Sequence, residues 1–209
     1  MSRLKIYGSA RSRATRVLWL AKELGLEFEH VAVAANDPKL KEPAFLKVNP
    51  TGRIPAIEDD GVAMGESLAI NLYLARKYGG HSALAPATPA EEARLLQWTC
   101  WAMTDLEGPM GTVYLNRGFL PEDKRDPKAA EAAEAQAQKP LAMLDGVLAK
   151  TPYLLGDRFT VADLNLAGVL SLARIGAVDM SKFPHVAAWA KRCHDRPAAA
   201  EVRAMAAAS

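Results

Sequence analysis

Asn49-Pro50-Thr51-Gly52-Arg53-Ile54-Pro55-Ala56 runs into Ile57-Glu58-Asp59-Asp60-Gly61-Val62-Ala63-Met64, and Gly65-Glu66-Ser67 closes the stretch. Asn-Pro-Thr-Gly is a turn signal. Ala56 to Glu58 and Val62 to Met64 flank Asp59-Asp60-Gly61, which predicts a hairpin with Asp-Gly at its turn. Ser67 then opens a helix whose apolar positions are Leu68, Ile70, Leu72 and Leu74 to Tyr78. Two antiparallel strands followed at once by a helix form one half of an α/β domain.

The other half lies upstream. Leu4 to Tyr7 is short and apolar-rich, as a strand is. Ala14, Val17, Leu18, Ala21 and Leu24 recur at helical spacing, and Gly25 follows as a stop. Glu27 to Ala32 reads as a second strand, with His30 the polar exception beside Phe28, Val31 and Val33. A strand, a helix and a strand at this spacing imply parallel pairing through a right-handed crossover. Pro43 to Val48 adds one or two helical turns, so residues 1–78 read βαβ-α-ββα.

Downstream the strand signals vanish. Gly79-Gly80-His81-Ser82 begins a polar linker over residues 79–88. Glu91 to Met110 predicts a long helix, bent or ended at Gly108-Pro109. Asp126 to Leu148 is Ala-rich and helical, and Pro140 is expected to kink or break it. Val161 to Ala173, Pro184 to Asp195 and Pro197 to Met205 complete an all-α domain over residues 89–209.

Composition narrows the function classes. Twenty-six Lys and Arg stand against 24 Asp and Glu, which gives no electrostatic case for a nucleic acid or an anionic membrane. Met1 to Gly8 carries no apolar h-region, and no run reaches the roughly 20 apolar residues of a membrane span. Cys100 and Cys193 lie far apart with no metal-type spacing, so neither a disulfide framework nor a metal site is expected. A reducing, cytoplasmic compartment is the plain expectation.

Chemistry concentrates at three places. Tyr7-Gly8-Ser9-Ala10-Arg11-Ser12 turns into the first helix, whose N-terminus offers unpaired N–H groups and a positive dipole end. Such a site favours a thiolate, yet no cysteine stands at this turn, so the sulfur must come from a ligand, with a hydroxyl donating to it. Ser12 is the first choice, ahead of Tyr7 and Ser9, although a serine there also caps a helix well. At the second place, a cis Ile54-Pro55 bond would turn the Ile54 backbone toward an extended peptide ligand. At the third, Ser67 and the first N–H groups of its helix can hold a carboxylate while Glu66 pairs with an ammonium. Both groups occur at the amino-acid end of a γ-glutamyl unit. Thr160 with Asp163 forms a capping box, and Phe159 with Leu164 a hydrophobic staple, both of structural character.

Ser12-x-Ala14-Thr15-Arg16-Val17, Asn49 to Ala56, Gly65-Glu66-Ser67-x-Ala69-Ile70 and Thr160-x-Ala162-Asp163, in this order, resemble the cytosolic glutathione transferase family over essentially the whole chain. The serine segment is most similar to the phi class and related bacterial enzymes. The resemblance implies a thioredoxin-like first domain with a cis Pro55 facing the helix start, and an all-helical second domain. It implies glutathione as cosubstrate, a hydrophobic electrophile, detoxification and a homodimer. Ser12 would hold the thiolate, Ile54 and Pro55 the cysteinyl unit, and Glu66 and Ser67 the γ-glutamyl unit. Lys41 and Arg53 would reach the glycyl carboxylate or the glutathione backbone. The chain departs from phi-type patterns at Leu40, at Arg53 where Gln is common, and at Ala10 where proline is frequent.

The electrophile pocket is expected along the long helix, with Met103, Leu106, Glu107, Met110 and Tyr114 as candidates, and Trp98 and Trp101 as core or interface. Two other readings keep the fold: a glutathione-dependent disulfide reductase or peroxidase, and a non-catalytic glutathione-binding module.

Overall fold

A computed structural model describes residues 4–80 and 82–208 of the chain. The expectations placed on the first three residues and on His81 therefore lie outside the described residues. Two compact units emerge. One holds the residues up to Ala85 together with those from Asp195 onward, and the other holds Pro86–His194.

The first unit is built on a four-stranded sheet in the order β2-β1-β3-β4. Strand β1 (Leu4–Tyr7) pairs in parallel with β2 (Glu29–Val31) and antiparallel with β3 (Ala56–Asp59), which pairs antiparallel with β4 (Val62–Gly65). Helix α1 (Ala14–Glu23) makes the crossover, and α2 (Pro43–Leu46) precedes the hairpin. The hairpin closes between Asp59 and Val62, with φ of 49° at Asp60 and 85° at Gly61. Both values are left-handed, as the twist of a two-residue hairpin requires and as Asp-Gly tolerates. Helix α3 (Ser67–Tyr78) returns across the sheet against α1. Ile6, Ile57, Leu18, Ile70 and Leu74 are fully buried between them. The βαβ-α-ββα order is the one expected.

The first unit is not closed by its own first residues. Helix α9 (Pro197–Ala208) packs on α1. Arg196 grips Glu23 through Nε and Nη2, both at 2.7 Å, while Trp19 Nε1 donates to Glu23 at 3.0 Å and Lys22 pairs with Glu201 at 3.2 Å. The sequence division at 89–209 therefore needs correction. Ala-rich helices look alike in sequence, and only the partner of this one assigns it to the first unit.

The second unit is all helix. Helix α4 (Pro89–Trp101) continues into α5 (Glu107–Tyr114) through a π turn at Ala102–Leu106, and a second π turn covers Leu115–Phe119. Gly108-Pro109 thus neither ends nor breaks the path. Pro109 cannot donate to the Asp105 carbonyl and its ring crowds that oxygen. The helix widens by one residue just upstream, where the Glu107 N–H reaches the Ala102 carbonyl. Helix α6 (Pro127–Leu148) likewise runs unbroken through Pro140. Its buried stripe of Ala130, Ala133, Ala137, Leu141, Leu144 and Leu148 spans the proline and packs on α5 and on α8 (Pro184–His194), so packing outweighs the one lost backbone bond. Helix α7 (Val161–Ile175) is buried all round over its first ten residues, as a central helix must be.

Candidate active site

Strand alternation sets which way Tyr7 faces. Ile6 faces the buried layer, while Tyr7 faces the other side of the sheet, edge-on to Phe45 with ring centroids 5.6 Å apart. The Tyr7 hydroxyl donates to Glu58 Oε2. Burial, and then that carboxylate, push the Tyr7 phenol far above the ordinary tyrosine range. A phenol so held is a poor acid and its proton is committed.

Ser12 stands at the helix start. The chain leaves β1 through Gly8, whose φ of 135° and tight surroundings only glycine fits: a Cβ there would lie 2.7 Å from Ala14 Cβ and 3.3 Å from Ile54 Cβ. A tight turn follows, with Ser12 N–H donating to the Ser9 carbonyl at 3.0 Å, Thr15 N–H to Ser12 at 3.1 Å and Arg16 N–H to Arg13 at 3.2 Å. Ser12 Oγ accepts from Ala14 N–H at 3.1 Å and donates to the Ser9 carbonyl at 2.7 Å. The capping role is therefore present, and Ser12 is half-buried at the mouth of the turn. Ser9 Oγ accepts from the Arg11 N–H at 3.1 Å.

The Ile54-Pro55 bond is cis. Asn49, almost fully buried, shapes the loop before it. Its amide donates to the Arg53 carbonyl at 2.7 Å, and its oxygen accepts from the Thr51 N–H and hydroxyl at 3.2 and 3.0 Å. The same side chain lies against Gly65, where a Cβ would come within 2.5 Å of Asn49 Nδ2. Lys41 Nζ donates to the Gly52 carbonyl at 3.0 Å, so its ammonium sits on this loop, whereas the Arg53 and Glu66 side chains are exposed.

At the third place Glu66 has φ 67° and ψ 103° and gives α3 no side-chain cap. A non-glycine residue held there costs on the order of 1–3 kcal/mol and is typical of ligand clamps. Ser67 is buried, and its Oγ accepts from Arg16 Nη1 at 3.4 Å. Arg16 is only 2 % exposed, so a cation is built between α1 and α3 beneath Ser67. Its own carbonyl accepts from Asn71 at 3.2 Å.

The three places form a ring of contacts. Gly8 joins the Ser12 turn to Ile54, Asn49 joins the Ile54 loop to Gly65, and Arg16 joins Ser67 back to α1. In sequence Asn49 reads as turn punctuation, and nothing there gives the Arg16 side chain a role. His30 stands out in sequence as polar beside Phe28, Val31 and Val33, but its purpose does not. Its Nε2 lies 2.8 Å from the Gly8 carbonyl oxygen.

Among the electrophile candidates, Leu106 and Met110 have no exposed surface and Glu107 is 7 % exposed. Leu106 and Met110 belong to the core of the helical unit, where α5 packs on α6 and α7. Met103 remains exposed, and Tyr114 is half-buried against Phe119 with centroids 5.4 Å apart. Trp98 and Trp101 meet edge to face at 5.4 Å.

Residues 11–77 match the glutathione S-transferase N-terminal domain, and residues 105–197 match the glutathione S-transferase C-terminal domain. Glutathione S-transferase 3 of Zea mays is 36% identical over 208 residues, covering 95% of this chain and 92% of the maize protein. The theta-class glutathione S-transferase of Xanthomonas axonopodis pv. citri, solved with glutathione bound, superposes with a TM-score of 0.88 at 32% identity, over 96% of this chain and 97% of that one. Glutathione transferase F2 of Populus trichocarpa gives a TM-score of 0.88 at 26% identity, over 99% of this chain and 100% of that one. The chain belongs to the glutathione S-transferase family.

Proposed function

We propose that this glutathione transferase activates glutathione with Ser12 and directs its thiolate at an apolar electrophile. The observation that carries the choice of hydroxyl is that Tyr7 donates its proton to Glu58, whereas Ser12 Oγ sits in the turn that opens α1 and accepts from the Ala14 N–H. In the bound state the Ser12 O–H turns from the Ser9 carbonyl to the sulfur. The Ala14 N–H keeps hold of the oxygen, and the dipole of α1 favours the negative charge. The thiol proton leaves to water. The sulfur's electron pair then forms the new S–C bond, and the leaving group departs with the pair of the bond that breaks. Backbone groups of Ile54, next to Pro55, pair with the cysteinyl unit. Ser67 and the first N–H groups of α3 take the γ-glutamyl carboxylate, and Glu66 takes its ammonium. Lys41 and Arg53 serve the glycyl end.

The family supports a detoxifying, cytoplasmic homodimer. No helix among the described residues is long and apolar enough to cross a membrane. Cys100 and Cys193 both lie in the helical unit, which leaves a cysteine-based reductase without a thiol at α1.

The test is the ultraviolet thiolate band of bound glutathione, titrated against pH in wild type, Ser12→Ala and Tyr7→Phe. Ser12→Ala is expected to move the thiolate pKa toward the ordinary thiol value of about 8.5 and to lower kcat about a hundredfold. Tyr7→Phe is expected to leave both in place. The reverse pattern would assign the role to Tyr7.

A further inference from the structure

We propose that His30 is a positioning residue for the thiolate site, acting through the Gly8–Ser9 peptide on Ser12. The inference rests on the serine reading above. In the parallel register His30 lies beside Ile6, on the buried face of the sheet and one strand away from the turn it serves. Its Nε2 meets the Gly8 carbonyl at 2.8 Å. A carbonyl only accepts, so this nitrogen carries the proton.

The same peptide is held at its other end by the Ser9 N–H, which donates to the Val33 carbonyl at 2.8 Å, and Gly8 N–H donates to Val31 at 3.0 Å. One peptide plane is thus gripped from both sides by the β2 segment. The next carbonyl along, that of Ser9, receives both the Ser12 N–H at 3.0 Å and the Ser12 hydroxyl at 2.7 Å. The position of the Ser12 oxygen therefore depends on the tilt of the Ser9 carbonyl, and that tilt on His30.

Gly8 sharpens the dependence. With φ at 135° and no side chain, it is the softest residue of the turn, and its neighbours Ala14 and Ile54 limit it only by contact. The imidazole supplies the directed restraint that a Cβ cannot. The histidine on the inward side of β2, beside exposed Glu29, then has a purpose: it fixes a backbone atom next to the catalytic serine without touching glutathione. A displacement of about 1 Å in such a group can lower turnover by about a hundredfold.

The experiment titrates the thiolate band of bound glutathione in wild type, Ser12→Ala, His30→Leu, His30→Gln and His30→Asn, with thermal melting of each. Gln carries an N–H donor at nearly the reach of histidine Nε2, whereas Asn is too short. The expected result is a raised thiolate pKa and a fall in kcat of about tenfold or more for His30→Leu and His30→Asn. KM for glutathione is expected to change little, and His30→Gln to be close to wild type. If His30→Leu does not fold, the Gln and Asn pair decides alone. Equal pKa values in Gln and Asn would overturn the inference, as would an unmoved pKa in His30→Leu while Ser12→Ala raises it. An unmoved pKa in Ser12→Ala would instead overturn the serine reading itself.

Discussion

Helices α7 and α3 begin with the same chemistry, a hydroxyl and a carboxylate, and treat it in opposite ways. At α7 Thr160 and Asp163 are both fully buried. Asp163 collects the Leu154 N–H at 2.8 Å, the Thr160 N–H at 2.9 Å, the Thr160 hydroxyl at 3.0 Å and Trp189 Nε1 at 3.0 Å. Other helices of that unit are sealed as well. Thr88 accepts from Glu91 N–H, Asp126 from Ala129 N–H, and Asp145 of α6 from the first N–H groups of α8. At α3 the carboxylate of Glu66 is turned out to solvent on a left-handed residue, the helix has no side-chain cap, and Ser67 receives rather than caps. A sealed start stabilises a fold, whereas the start of α3 lacks a side-chain cap and is braced from below by Arg16, as the proposed γ-glutamyl site requires.

The contrast can be broken from its strongest side first. Asp163→Ala removes the acceptor of four donors and leaves them buried. It is expected to cost on the order of 4 kcal/mol, read as a fall in melting temperature of roughly 10 °C or more. Ser67→Ala is expected to do the reverse. Stability should change by less than about 1 kcal/mol, while the Kd for glutathione rises about ten- to a hundredfold with loss of a hydrogen bond to a carboxylate, as a binding titration would read. If Ser67→Ala melted like Asp163→Ala, α3 would be a sealed start after all.

Glu66→Gly sharpens the point because its two effects have opposite signs. Releasing the strained backbone is expected to stabilise the fold by about 1 kcal/mol, whereas glutathione binding weakens through loss of the ammonium partner. A melt and a titration on the same sample separate the two.

The smallest effect comes from Asp59, a sealed carboxylate inside the first unit. Burial would raise its pKa, but Lys77 at 2.8 Å, Tyr78 at 2.7 Å and Tyr73 at 3.0 Å outweigh burial and hold it below 3.8. A depressed carboxylate contributes stability above its unfolded value, and that contribution is lost as pH falls through the folded one. The contribution of Asp59 to the melting temperature should therefore be constant with pH around neutrality and be lost only below about pH 4. In that acid range the gap between wild type and Asp59→Asn should narrow. Asp59 also shows that sealing follows role rather than unit.

The first unit was legible because its signals are local. Asp60-Gly61 needs left-handed backbone, Gly25 ends α1 at φ 64°, and the periods switch from helix to strand cleanly. What escaped was set by partners far along the chain. Pro109 and Pro140 look like breaks until the packing that carries the helix past them is seen. Leu106 and Met110 are taken up in the packing of α5 on α6 and α7. Of the site, Ser12, Ile54, Glu66 and Ser67 could be named from their motifs, since each lies at an element boundary. Arg16 and His30 could not be given roles, because each acts on a group outside its own element, and Asn49 reads in sequence as ordinary turn punctuation.

The return of α9 to α1 has a consequence for synthesis. The ribosome releases the four strands and α1 early, then the whole helical unit, and only afterwards the helix that covers α1. Until residues 197–208 emerge, Glu23 has no Arg196 and one flank of α1 stands bare. The unit that starts first is thus among the last to be finished, and a chain cut short before Pro197 would leave it incomplete while the helical unit is whole.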